Sequence, residues 1–177
     1  MVNTTVEITV DCKEWYLVDD NIEEVCQKTI TTVFENQVVP FSPSKREIGL
    51  LLTTNDRMLD LNKLYRKKDG PTNVLSFPSG SQNFYEIPFV LGDIAIGYSI
   101  TLEESIKANL TFLNHMQHLL VHGCLHLLGF DHEKTNEAEE MERIEINILK
   151  KLNIDNPYDL SARENINLRK QYRDLIA

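Results

Sequence analysis

The sequence predicts a single compact α/β domain of the α+β kind: a mixed β-sheet packed with helices, one of them central and bearing histidines. Three observations support this. The 177 residues suit one domain with a sizeable core and are short for two. Segments of alternating, β-branched residues are interleaved with segments of helical spacing, and the C-terminal half is rich in helix. All five histidines fall between positions 115 and 132, in and just after a segment otherwise poor in polar residues.

The elements follow in order. Residues 2–10, VNTTVEITV, alternate and predict a strand. Over 20–35, Ile22, Val25, Cys26, Ile30, Val33 and Phe34 recur at helical spacing. Residues 38–43 hold two prolines and predict a loop. Residues 47–53, EIGLLLT, predict a buried strand. Asn55 or Asp56 is expected to cap a helix carrying Met58, Leu59, Leu61, Leu64 and Tyr65, with Asp69-Gly70-Pro71 stopping it. A short strand is expected at 74–77, closed by Pro78, then a loop over 79–88 and a strand over 91–98, LGDIAIGY. Residues 101–110 look helical, with Glu103 and Glu104 in the first turn. Residues 113–128 predict the central helix, ended by Gly129. Residues 135–152 predict an amphipathic helix buried through Met141, Ile144, Ile148, Leu149 and Leu152, and broken by Asn156-Pro157. A polar helical tail is expected at 161–176. The domain is drawn at 1–158, with 159–177 a C-terminal extension.

Bulk properties exclude several classes. No apolar run is long enough to span a bilayer, and the N-terminus lacks the pattern of a secretory signal. A cytoplasmic protein with no membrane partner is expected, and the Asn-x-Thr matches at Asn3 and Asn109 are read as chance. Cys12, Cys26 and Cys124 form no CxxC and are read as reduced thiols. The net charge of −9 disfavours broad electrostatic binding of nucleic acid. Lys63, Arg66, Lys67 and Lys68 nevertheless allow a locally basic groove on an acidic body. The six glutamates of residues 133–145 are read as a solvated helix face.

His122 and His126 lie four apart on a helix, so both rings share one face and can reach one metal ion at ~2.0–2.1 Å. Gly129 permits the backbone turn that a helix exit needs, and the turn carries His132 back to the same point. One zinc ion per chain is the expected cofactor, with nickel, copper and iron left open by the ligand type. Three protein ligands leave a fourth position open, as in catalytic zinc sites that activate water for attack on a carbonyl or a phosphorus. His118 is expected to face substrate or to support a ligand, since a straight helix places it ~12 Å along the axis from His126. His115 is read as a simple surface residue. The spacing H-x-x-x-H-x-x-G-x-x-H is that of the metzincin metalloproteases, HExxHxxGxxH. Gly123 stands where those enzymes carry their glutamate base, which argues against peptide hydrolysis by that mechanism.

Residues 122–132, HGCLHLLGFDH, together with 61–78, LNKLYRKKDGPTNVLSFP, resemble the YbeY-type rRNA maturation factors. Residues 91–96, LGDIAI, and 137–141, EAEEM, agree in order and spacing, and the resemblance covers about residues 5–158. It implies a compact α/β domain with a zinc-bearing helix. It also implies a metal-dependent, single-strand-specific endoribonuclease acting in rRNA maturation, at the 3′ end of small-subunit rRNA, and in ribosome quality control. The implied metal ligands are His122, His126 and His132, and Arg66 is the implied catalytic residue. Lys63, Lys67, Ser76 and His118 are candidates for substrate binding, and Asp131 for orienting a ligand. The expected partners are single-stranded RNA or rRNA, the small ribosomal subunit and its assembly proteins, with no DNA. Asn73 stands where many members carry Asp, which weakens a carboxylate there as general base. The alternatives are a non-catalytic ribosome assembly factor with a structural metal, and a zinc hydrolase of another substrate.

Overall fold

Four strands form one mixed sheet in the order β1-β2-β4-β3 in the computed structural model, which describes residues 3–36, 45–80, 89–132 and 134–159. β1 (Asn3–Val10) runs parallel to β2 (Lys45–Thr53), and β2 parallel to β4 (Phe89–Gly97). β3 (Val74–Pro78) lies antiparallel to β4 at the edge. Alternation divides the sheet into two faces. Ile48, Leu50 and Leu52 of β2, with Leu91, Ile94 and Ile96 of β4, are buried on the inner face. There they meet α2 (Ile22–Asn36) and α5 (Phe112–Leu127), and α6 (Thr135–Lys151) packs against both helices. α5 is the central helix that the apolar composition predicts, with nine buried residues. Among the described residues, the outer face is covered where Met58 of α3 (Asn55–Leu61) meets Leu75 and Ala95, with Leu51, Leu61 and Phe77 packed around them.

Helix ends depart most from expectation. The cap of α3 is Thr54, whose hydroxyl accepts from the Arg57 N–H at 3.3 Å. Asn55 is occupied elsewhere, accepting from the Ile100 N–H at 3.0 Å. After α3 the chain widens into a single π turn, Asn62–Arg66, and stops at Lys67 with φ 54°, ahead of Asp69-Gly70-Pro71. α4 (Tyr98–Ala108) starts earlier than expected and ends at Asn109 with φ 56°. α6 ends at Asn153, φ 60°, before Asn156-Pro157 is reached. There the Asn153 N–H donates to Lys150 O (3.1 Å) and the Ile154 N–H to Leu149 O (2.9 Å). Left-handed non-glycine residues therefore end three helices, two of them a few residues ahead of the Gly-Pro or Asn-Pro punctuation. One helix was not anticipated. α1 (Glu14–Val18) is too short for a periodic signal, yet it buries Trp15 completely. The loop at 38–43, residues 81–88 of the expected loop at 79–88, and the tail at 161–176 lie outside the described residues.

Candidate metal centre

The site begins with the way α5 stops. Gly129 adopts φ 89°. Its N–H donates to His126 O at 3.0 Å, and the Phe130 N–H reaches Leu125 O at 3.0 Å. This pair of bonds is a Schellman closure, which satisfies the last carbonyls and reverses the chain. The reversal brings His132 over the last two turns of α5. One ligand nitrogen from each of His122, His126 and His132 then lies within 4.8 Å of the others. Among the described residues this is the one such group of His, Cys, Asp or Glu side chains.

The hydrogen bonds set the tautomers. His122 Nδ1 lies 2.7 Å from Glu145 Oε1 and His126 Nδ1 lies 3.0 Å from Phe130 O. Both partners are acceptors, so each Nδ1 carries the proton and each Nε2 carries the lone pair. The two Nε2 atoms face each other at 3.0 Å, an arrangement that a cation between them relieves. Burial, and then the neighbouring His122 and His132, push the His126 pKa below its ordinary value. It is therefore neutral at pH 7, as a ligand must be. Three imidazole nitrogens suit zinc and other first-row metals.

Glu145 corrects the reading of the acidic run. It is 1 % exposed, not solvated. Burial raises its pKa, but hydrogen bonds from His118 and His122, with a further one from Tyr158, outweigh that and bring it to about 2. Oε1 accepts from His122, and Oε2 accepts from His118 Nε2 at 3.0 Å and from the Tyr158 hydroxyl. The sequence did contain a signal. Glu145 sits among Met141, Ile144, Ile148 and Leu149 on the buried stripe of α6, and a charge on an apolar stripe needs a partner.

His118 therefore lies one turn before His122 and is tied to it through Glu145. His115 is not a surface residue. Its side chain is 12 % exposed, and Nε2 lies 2.8 Å from Glu104 Oε2. Asn73 donates to the same carboxylate at 2.9 and 3.2 Å, so its side chain braces β3 against α4 and α5. Burial raises the Glu104 pKa, but the bonds from His115 and Asn73 prevail and lower it. Glu104 and Tyr158 also escaped sequence reasoning, because their partners are distant in the chain. The Ser76 hydroxyl donates to Gly123 O at 3.1 Å, so its proton serves the packing of β3 on α5. Asp131 Oδ1 accepts from the His132 N–H at 2.7 Å and shapes the turn that presents His132. Lys63, Arg66, Lys67 and Lys68 are all exposed. Among the described residues none of these four makes an ion pair.

Comparison with known proteins identifies relatives of the chain. The sequence model of the family described as Endoribonuclease YbeY matches residues 8–153. The chain is 38 % identical over 149 residues to Endoribonuclease YbeY of Vesicomyosocius okutanii, covering 80 % of this chain and 99 % of that one. It is 50 % identical over 117 residues to the Acinetobacter baumannii protein of the same name, covering 63 % and 73 %. The solution structure of TM1509 from Thermotoga maritima shares the fold at a TM-score of 0.50 and 23 % identity, over 84 % of this chain and 92 % of that one.

Proposed function

The chain belongs to the Endoribonuclease YbeY family, and from that premise we propose that it is a metal-dependent endoribonuclease that cuts single-stranded RNA. The observation that carries the chemistry is the set of three histidines whose ligand nitrogens converge within 4.8 Å. His122, His126 and His132 hold the metal, and zinc is the ion their donor type favours. When bound, zinc supplies Lewis acidity that draws charge from the scissile phosphate. No fourth His, Cys, Asp or Glu joins the group among the described residues. That supports an open, catalytic site over the closed site of a structural metal.

The remaining work falls to the chain. Arg66, with no ion pair among the described residues, is the catalytic cation. Its guanidinium can grip two phosphate oxygens at once and oppose the charge of the transition state. Lys63 and Lys67 beside it hold the RNA backbone. His118 and Ser76 border the strand next to the histidines, and Asp131 keeps His132 in place. The substrate is rRNA, cut at the 3′ end of the small-subunit species during maturation and quality control. The partners are the small ribosomal subunit and its assembly proteins, in the cytoplasm.

The test is cleavage of matched single-stranded and duplex RNAs by the metal-loaded protein, beside Arg66→Ala and Arg66→Lys. Preferential cutting of the single strand is expected, with a loss of about 100-fold or more in Arg66→Ala, the range for removal of one transition-state charge donor. Partial recovery in Arg66→Lys is expected, since lysine keeps the charge but not the fork. Equal cutting by all three proteins would remove Arg66 from the mechanism. Equal cutting of both RNAs would remove strand specificity.

A further inference from the structure

The Glu145 carboxylate takes three donors. His122 Nδ1 approaches Oε1 at 2.7 Å, while His118 Nε2 at 3.0 Å and the Tyr158 hydroxyl share Oε2. The residue is 1 % exposed, so its charge depends on these donors. Tyr158 lies beyond the stretch matched by the family model, which ends at 153. The chain is brought back on purpose-built contacts. Asn153 turns it out of α6, Ile154 and Pro157 are buried, and the Tyr158 N–H donates to Asn156 Oδ1 at 2.9 Å. The phenol ring then meets His118 edge to face, with centroids 5.5 Å apart. Burial first, and the bond to Glu145 next, push the Tyr158 pKa up, so the hydroxyl remains a donor.

We propose that Tyr158 is a positioning residue of the metal centre, acting through Glu145 to hold the His122 ring with Nε2 turned toward His126 and His132. The inference rests on the reading of the three histidines as metal ligands. Two donors on Oε2 fix the carboxylate plane, and that plane fixes where Oε1 can receive the His122 Nδ1–H. Loss of the hydroxyl lets the carboxylate rotate toward His118 alone, and the His122 ring follows it. The metal site then loosens with no change in its three ligands.

The experiment measures zinc affinity by competition with a chromophoric chelator, and the visible absorption of the cobalt-substituted protein, for four chains. These are the wild type, Tyr158→Phe, Glu145→Gln and the double variant, each checked for native circular dichroism. Glu145→Gln is expected to weaken zinc by about 10–100-fold, as for other partners of metal-bound histidines. Tyr158→Phe keeps the ring on His118 and is expected to cost about 3–10-fold, the net worth of one ordinary hydrogen bond, since the hydroxyl reaches the metal only through Glu145. Its cobalt spectrum should shift. In the Glu145→Gln background the Tyr158→Phe change should add almost nothing, because the two residues act in series. An unchanged affinity and spectrum in Tyr158→Phe overturns the inference, as does a Tyr158→Phe effect of full size in the Glu145→Gln background. A wild type that binds no zinc overturns the metal reading as well. A chain that follows the expected pattern and cuts no RNA leaves the inference standing and overturns only the nuclease activity.

Discussion

Asn73 faces two ways. Its Oδ1 accepts from the Val74 N–H at 2.7 Å, and its amide donates to both oxygens of Glu104. An aspartate keeps the first bond and ruins the second, setting one carboxylate against another. Asn73→Asp should therefore destabilise the protein by about 1–3 kcal/mol at pH 7, the cost of an unsatisfied, repelled polar group. Thermal melts at pH 7 and pH 4.5 check this, because the deficit should shrink as the pair takes up a proton. A deficit that does not change with pH rules out the charge explanation. Glu145 gives a second pH effect in the metal-free protein. Its carboxyl falls from the ordinary 4.5 to about 2 on folding, so the unfolded chain binds the proton more readily. The stability it contributes is complete above its unfolded pKa and is lost as pH falls from about 4.5 toward 2. Urea unfolding of wild type and Glu145→Gln should thus converge over that window. Curves that stay parallel down to pH 2 contradict the assignment.

At the scale of the element, α5 combines a core helix and a site helix. Its buried side includes Gly123, where an added Cβ would meet Ser76 Oγ at 3.1 Å, Ile94 Cγ2 at 3.2 Å and Val74 Cγ2 at 3.3 Å. This close approach explains why no glutamate base can occupy the position. The helix lies directly on β3 and β4 there. Gly123→Ala gains up to ~1 kcal/mol of helix propensity but overpacks against two strands, which costs ~1–3 kcal/mol. A net loss of about 1 kcal/mol is expected in denaturant melts. Gly123→Glu should abolish folding, since it adds both volume and an unpaired buried charge. A stable, folded Gly123→Glu protein would show that α5 stands further from the sheet than described. The position of α5 and the convergence of its histidines were legible in the sequence, because apolar periodicity and the H-x-x-x-H-x-x-G-x-x-H spacing are local. The polar braces were not. Glu104 meets His115 and Asn73, and Glu145 meets His118, His122 and Tyr158, across separations that only the packed helices define.

Over the whole molecule, the strands of the sheet could be read from alternation, but their order could not. Nothing in VNTTVEITV or LGDIAIGY says that β4 inserts between β2 and β3. The charge also has a spatial reading. A chain of net charge −9 keeps Lys63, Arg66, Lys67 and Lys68 exposed together on and just after one π turn, which concentrates attraction for phosphate at one place. Because the three histidine nitrogens converge only when the end of α5 and its Schellman turn are formed, zinc should bind the folded chain in preference to the unfolded one. At 100 times the dissociation constant this adds ~2.7 kcal/mol, or about 5–10 °C in Tm for a domain of this size. His126→Ala should remove that shift. The proposed metal site of an endoribonuclease, formed by the three histidines, can be tested directly. Its most direct measurement is a titration of metal-free protein with zinc, scored by cleavage of a single-stranded RNA carrying an unprocessed small-subunit 3′ end. No cutting is expected without metal, activity should saturate at one zinc per chain, and folded His126→Ala should show none at any zinc level. Cleavage that persists in chelator, or that His126→Ala retains in full, would contradict the proposal.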